Sequence, residues 1–288
     1  MKYSFPGLIL FLLVFLGGCV EYKTQYEGPY QDGASAAVTY EILFVENGVM
    51  RMANQNLSRV KTLPTASNVV KASINYRHDR IAFKTATGNI MVIDTAGQTL
   101  ATVTNSNNVL WFDWHTNNET LYMLNPNNTL SFYGPTISVA TANPASRIPG
   151  YPNLSIKTVA ITSNGTVVCG AYSEFVPAES GVWILEPNGQ NTRLRTDFDI
   201  PTHIRISPQN YYGYLSMQNS ATSSAGAFLL IEPGNHFLER LNGSPRLLAP
   251  SPMDENEAIG WSLSPKELYL RSGKSKLPVS GVVDDLDW

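Results

Sequence analysis

The chain has 288 residues, a formal net charge of -3 and charged side chains at only 15% of positions. Lysine and arginine are scattered and form no patch or stripe, which argues against nucleic acid as a partner and against a polybasic face for anionic lipid. Hydrophobic residues make up 43% of the chain, enough at this length for one well-buried domain or two small ones.

Lys2 gives the N-terminus a positive start. An apolar run from Leu8 to Leu16 follows, then Gly17, Gly18 and Cys19. A charged start, a brief apolar core and small residues before a cut make residues 1–18 a secretory signal peptide. A transmembrane helix needs about 20 apolar residues, and this run is shorter. The end Leu16-Gly17-Gly18-Cys19 resembles the lipobox of bacterial lipoproteins. That resemblance implies cleavage before Cys19, a diacylglyceryl group on its thiol and an acylated new amine. Each buried methylene stabilises attachment by about 0.8 kcal/mol, and stable anchoring needs more than one chain. The next residue is Val20 and not Asp. In that family this points to the outer membrane rather than inner-membrane retention, if the cell has two membranes.

Residues 19–38 carry Gly, Gln, Ser and Ala with little periodicity and read as a flexible tether. Residues 39–288 form the folded body. Its single cysteine, Cys169, stands in Thr166-Val167-Val168-Cys169-Gly170, a strand pattern that makes it a buried, inert thiol. With Cys19 acylated there is no internal disulfide, so the core must hold the fold.

The body shows short apolar strands punctuated by Asn, Gly, Pro and Ser, the all-β signature. A unit recurs along it. The clearest copy runs Lys71–Asn75, turn, Arg80–Lys84, turn, Ile90–Asp94, turn, Thr99–Val103. Further copies start at Val109, Lys157 and His203, and a divergent one holds Ile259–Pro265 and Glu267–Leu270. The third and fourth share the turns Glu186-Pro187-Asn188-Gly189 and Glu232-Pro233-Gly234-Asn235. Four-stranded units repeating at this length predict a β-propeller. The last strand, Val282–Trp288, looks like the first strand of the unit at Val109–Trp114, while Tyr40–Met52 looks like a unit lacking its first strand. Joined, the two ends make one blade and close a ring of about six. Five blades is the alternative if Pro245–Gly281 is only a partial blade.

The unit resembles the blade repeat of TolB-like (WD-repeat-like) propellers, an apolar strand, a Ser-Pro-Asp-Gly-type turn and an Ile-Ala-Phe-type strand. Arg80-Ile81-Ala82-Phe83 and Ile206-Ser207-Pro208-Gln209-Asn210 match best, and Leu263–Leu268 matches in part. No copy carries the full turn motif, and no separate α/β domain is read before the propeller. The resemblance therefore implies the fold and not the TolB role in the Pal-linked envelope system.

Chemistry is sparse. His78, His115, His203 and His236 lie far apart, outside metal-ligand spacing. His78 and His115 fall in equivalent turns. No Gly-x-Ser-x-Gly elbow or phosphate loop occurs. The carboxylate clusters are Asp197/Asp199, Asp254/Glu255/Glu257 and Asp284/Asp285/Asp287. Alternation puts Asp285 and Asp287 on one face of the closing strand, toward a central channel if that strand is innermost, and Asp284 on the other. That makes Asp285 and Asp287 the metal candidates, because hard cations want several oxygens at once. Asp113 in the equivalent strand points instead to a repeat-specific structural role. Asn-x-Ser/Thr sequons start at Asn56, Asn118, Asn127, Asn153, Asn164 and Asn242. The expectation is a lipid-anchored, non-catalytic envelope protein without a cofactor, whose partner is a protein or a surface glycan. The alternative is a propeller enzyme, or a small-ligand or metal binder, with a polar channel site.

Overall fold

The computed structural model describes residues 38–288 apart from 66–67, 149–153, 176–179, 195–197, 199, 209–211, 220, 223, 232–236, 242–244 and 253–256. Cys19, the signal peptide and most of the tether lie outside the described residues, as do His236, Asp197, Asp199, Asp254 and Glu255.

The strands form six antiparallel sheets in chain order. β1 (Ile42–Glu46), β2 (Val49–Ala53) and β3 (Val60–Thr62) belong to the first. β4 (Val69–Ile74), β5 (Arg80–Thr85), β6 (Ile90–Asp94) and β7 (Thr99–Val103) make the second. The third holds β8 (Trp111–Trp114), β9 (Leu121–Leu124) and β10 (Leu130–Tyr133), followed by a short helix α1 (Pro144–Arg147). The fourth holds β11 (Ser155–Ile161), β12 (Val167–Tyr172), β13 (Gly181–Leu185) and β14 (Asn191–Leu194). The fifth holds β15 (Ile200–Ile206), β16 (Tyr212–Gln218), β17 (Ala225–Ile231) and β18 (Phe237–Arg240). β19 (Leu247–Pro250), β20 (Ala258–Leu263), β21 (Lys266–Leu270) and β22 (Lys276–Pro278) make the sixth. The last strand, β23 (Val283–Asp287), returns to the first sheet and pairs antiparallel with β1, Leu43 opposite Asp287 and Val45 opposite Asp285. The ring is a six-bladed propeller closed by its own termini. β23, β4, β8, β11, β15 and β19 touch one another in that order and return to β23, so they are the inner strands.

Turn chemistry sets the strand ends. Asn47, His78, Asn105, Asn118 and Asn128 all have positive φ, a conformation Asn tolerates better than most residues. His78 and His115 do share the equivalent hairpin turn, but His115 stands where Asn75 does, at the turn entry, and His78 matches Asn118. The core lies between blades. One cluster joins Ile42, Phe44 and Leu286 to Ile259 and Trp261 across the first and sixth blades, and another joins Val92 to Trp114 across the second and third.

Two details differ from the sequence reading. In the third blade only three strands pair among the described residues. The chain beyond β10 bridges the third and fourth blades: Leu130 N–H donates to Ala142 O at 2.7 Å, while Ala140 N–H donates to Gly165 O at 2.7 Å and Arg147 Nη2 to Glu186 O at 3.2 Å. In the sixth blade the Ser264-Pro265 turn joins the second and third strands, not the first and second. The true first strand, Leu247–Pro250, is short and carries no polar alternation, so the more strongly patterned strand after it drew the register one strand late. The region is nevertheless a full blade, and the five-bladed alternative falls.

Candidate functional site: the central channel and its mouth

Inner strands present alternate residues to the axis. Four of them place ionisable or polar side chains there: Lys71 and Ser73 on β4, Trp111 and Asp113 on β8, His203 and Arg205 on β15, and Asp285 and Asp287 on β23. All eight are buried. Arg205 is the hub. Its Nη1 is 2.9 Å from Asp113 Oδ2, its Nε 3.1 Å from Asp287 Oδ1 and its Nη2 3.8 Å from Asp285 Oδ1. One planar guanidinium thus ties the fifth blade to the third and to the first, a fork geometry that suits Arg and not Lys.

The second blade completes the set. Ser73 Oγ lies 2.5 Å from Asp113 Oδ1 and 2.9 Å from Asp287 Oδ2. Lys71 Nζ is 3.3 Å from Asp285 Oδ2 and sits 3.4 Å from the centroid of the Trp111 ring, a cation–π contact. Backbone donors from the same strand reach across: Ala72 N–H to Asp285 Oδ2 and Ile74 N–H to Asp287 Oδ2, each at 2.9 Å. The equivalence of β8 and β23 is visible in detail. Asp113 accepts from the following Trp114 N–H, and Asp287 from the following Trp288 N–H. Asp113 has the repeat-specific structural role its position suggests.

Three carboxylates face two cations in this cluster, and the titration follows. Burial, then the neighbouring Asp113 charge, pushes Asp287 up to about 6 against the pull of Arg205 and the Ile74 and Ser73 donors. Ser73 has one hydroxyl proton and cannot donate to both carboxylates at once. A proton on Asp287 resolves that conflict, because Asp287 then donates to Ser73 while Ser73 donates to Asp113. Burial and the Arg205 charge bring Lys71 down to about 8, although Asp285 opposes them. His203 Nδ1 stands 3.5 Å from Asp285 Oδ1, yet burial and the two cations hold its pKa well below the ordinary histidine value. Tyr76 donates to Ile206 O at 2.9 Å, and burial beside Asp113 raises its pKa and that of Tyr122.

Above this cluster, at the end of the channel where the inner strands begin, lies a cavity of about 370 Å³. Trp111, Lys71, His203 and Asp285 line it, with Lys84, Lys157 and Asp284 and apolar walls from Val70, Val109, Leu110 and Leu247.

Asp285 and Asp287 share the channel face, and Asp284, on the opposite face of the strand, accepts from Gly48 N–H at 3.2 Å and still borders the mouth cavity. Both oxygens of Asp287 and Asp285 Oδ2 accept hydrogen bonds, and Asp285 Oδ1 stands 3.5 Å from His203 Nδ1 and 3.8 Å from Arg205 Nη2. Among the described residues no group of three or more His, Cys, Asp or Glu is arranged to hold a metal ion. Glu257 accepts from Ser272 N–H in its own blade and joins no site. Burial pushes the Cys169 thiol up to about 12, which leaves it an inert core residue. His78 and His115 are held in their turns, His115 Nε2 lying 3.3 Å from Thr162 O. Asn56, Asn118, Asn127 and Asn164 all lie in hydrogen-bonded turns. Lys71, Trp111 and Arg205 are not singled out by the sequence, and His203 is weighed there only as a metal ligand. Their signal was present as polar residues at alternate positions of otherwise apolar first strands.

By sequence, the chain matches no protein-family model and no curated protein. By structure it is similar to several propellers. TolB from Acinetobacter baumannii superposes with a TM-score of 0.56 at 12% identity, over 88% of this chain and 67% of that one. A chain of the nidogen–laminin complex gives 0.58 at 8% identity, over 86% and 98%. The hydrazine synthase of Kuenenia stuttgartiensis gives 0.54 at 11%, over 84% and 79%. At such identities the likeness establishes the propeller fold and nothing about activity.

Proposed function

We propose that this chain is a lipid-anchored, non-catalytic protein of the bacterial cell envelope whose propeller presents one channel mouth and its surrounding loops to a protein partner or a surface glycan. Cys19 carries the acyl chains, residues 19–38 tether the disc, and Val20 directs it to the outer membrane where there is one. The observation that carries the scaffold reading is the state of the channel. Most of its ionisable groups pair with one another, blade to blade, in contacts that hold the ring together. What remains open is the mouth, rimmed by the exposed side chains of Val70 and Leu110, 45% and 47% accessible.

Crosslinking in native membranes followed by affinity capture tests this, with the rim substitution Leu110→Asp as the comparison. A partner captured by the wild type and lost with Leu110→Asp supports the scaffold. A partner retained undiminished places the contact elsewhere and removes the mouth from the reading. Anchoring is tested separately: Cys19→Ala should leave an unprocessed or soluble form, and unchanged detergent-phase partitioning would sink the lipoprotein assignment.

A second reading, a small-ligand site in the channel, draws on one observation. Trp111 Nε1 is buried at the mouth without a hydrogen-bond partner. His203 Nε2 is likewise buried without one.

A further inference from the structure

We propose that the mouth cavity binds a carboxylate carried on a compact apolar body. The proposal rests on the reading of the mouth as the binding end of the propeller and names what it takes.

The cavity has more donors than acceptors to spare. Trp111, 6% exposed, lines it, and its indole N–H is a donor only, with no partner. A buried donor left unmade costs roughly 1–3 kcal/mol, and because the nitrogen has almost no exposed surface a ligand oxygen recovers it by a small turn of the Trp111 ring toward the cavity. Lys84 Nζ makes one hydrogen bond, to Val109 O at 3.0 Å, and has two further protons. Lys157 is exposed and enters no ion pair among the described residues. The acceptors are partly engaged, each through one oxygen. Asp285 Oδ2 receives Ala72 N–H and Lys71, and Asp284 Oδ2 receives Gly48 N–H. A cationic ligand would meet two ammonium groups beside those carboxylates. An anionic one would find those ammonium groups and an unpartnered N–H.

The walls fix the rest of the ligand. Val109 and Leu247 are buried in them, and Val70 and Leu110 stand exposed at the rim, so the anionic group needs an apolar body behind it. A volume of about 370 Å³ is near the small end for ligand pockets and suits one amino-acid-sized unit. An N-acylated apolar amino acid and the C-terminal residue of a peptide share this chemistry.

The test uses the full-length chain in a neutral detergent with tryptophan labelled at the indole nitrogen, the Trp111 resonance being assigned through Trp111→Phe. N-acetyl-leucine should move the Trp111 indole N–H signal saturably, and N-acetyl-leucinamide should not. Lys157→Met should weaken the acid about threefold, the effect of one exposed charge, with the folded spectrum retained. Lys84→Met should weaken it at least as much. Gly-Gly-Leu against its C-terminal amide separates the sources: tighter binding than N-acetyl-leucine marks a peptide end, weaker binding a free acid, and both uphold the carboxylate. A Trp111 signal that stays fixed up to the solubility limit of the acid overturns the proposal, as does equal movement with the amide. Acid binding with no partner captured from membranes would break the scaffold reading alone. Partner capture lost with Leu110→Asp but no acid binding would break this proposal alone.

Discussion

Two buried carboxylates on the closing blade behave in opposite ways. Glu46, at the end of β1, accepts at Oε1 from Ser280 N–H, the Ser280 hydroxyl and Gly281 N–H, at 2.8, 2.9 and 2.8 Å. Its Oε2 stands 3.1 Å from Arg51 Nε. Burial alone would raise its pKa, but these donors and the Arg51 charge outweigh burial and lower it. Asp287, on the neighbouring β23, also has an Arg and backbone donors, yet it is pushed up to about 6. Two things differ. Asp287 lies deeper and shares Arg205 and Ser73 with Asp113, whereas Glu46 is one negative charge among several donors. Burial raises Asp287 first and the Asp113 charge adds to it, while the donors around Glu46 outweigh its smaller desolvation. Glu46 acts as a clasp holding the returning chain, and Asp287 belongs to a hub under electrostatic tension.

Removing the closing strand has the largest expected effect. Deleting Val282–Trp288 takes away β23, the partner of β1, and with it Asp285, Asp287 and the Asn47 contact to Val282. Cooperative unfolding should be lost, or the protein should aggregate. A truncated chain with an unchanged melting temperature would rule out closure by this strand.

Breaking only the hub comes next. Arg205→Met leaves Asp113, Asp285 and Asp287 without their shared cation and should cost about 3–5 kcal/mol in denaturant unfolding. Arg205→Lys should recover little of this, since one ammonium cannot reproduce the fork. A loss below about 1 kcal/mol for Arg205→Met would mean the blades are not joined through this group.

The two carboxylates can then be told apart by pH. Asp287 is raised in the folded state, so protons favour folding between its unfolded value, near 4, and about 6. Relative to Asp287→Asn, the wild type should gain stability as pH falls from 7 to 4, on the order of 2 kcal/mol. Glu46 is lowered, so its contribution is present above its unfolded value and is lost as pH falls through the folded one. Glu46→Gln should cost about 1–2 kcal/mol at pH 7, and the difference from wild type should shrink in acid. Parallel slopes for the two variants would erase the distinction between clasp and hub.

Much of this was legible in the sequence, for physical reasons. Period-two alternation and Asn-Gly turns specify strands locally, and the likeness of Phe112-Asp113-Trp114 to Leu286-Asp287-Trp288 announced the closure. Asp285 and Asp287 were placed on the channel face by alternation alone. What they meet there was not legible. Arg205 reaches Asp287 and Asp113 across 82 and 92 residues, and only ring geometry brings those three strands to one axis. Carboxylates with no visible partner resemble a cation site in sequence, and only the fold brings a guanidinium between the blades beside them. The third blade's outer edge, where only three strands pair among the described residues, was least legible because outer strands bury little and their sequences are constrained least. The late register in the sixth has another cause: its inner strand, Leu247–Pro250, is short and buried throughout, without the alternation that marks a strand.

The central claim is that the mid-channel charges are a structural hub, and calcium titration by calorimetry on the full-length chain in detergent tests it most directly. With Asp285 and Asp287 already engaged by Arg205, Lys71 and backbone N–H groups, no binding heat is expected at millimolar calcium. A micromolar site that disappears when Asp285→Asn and Asp287→Asn are combined would contradict it.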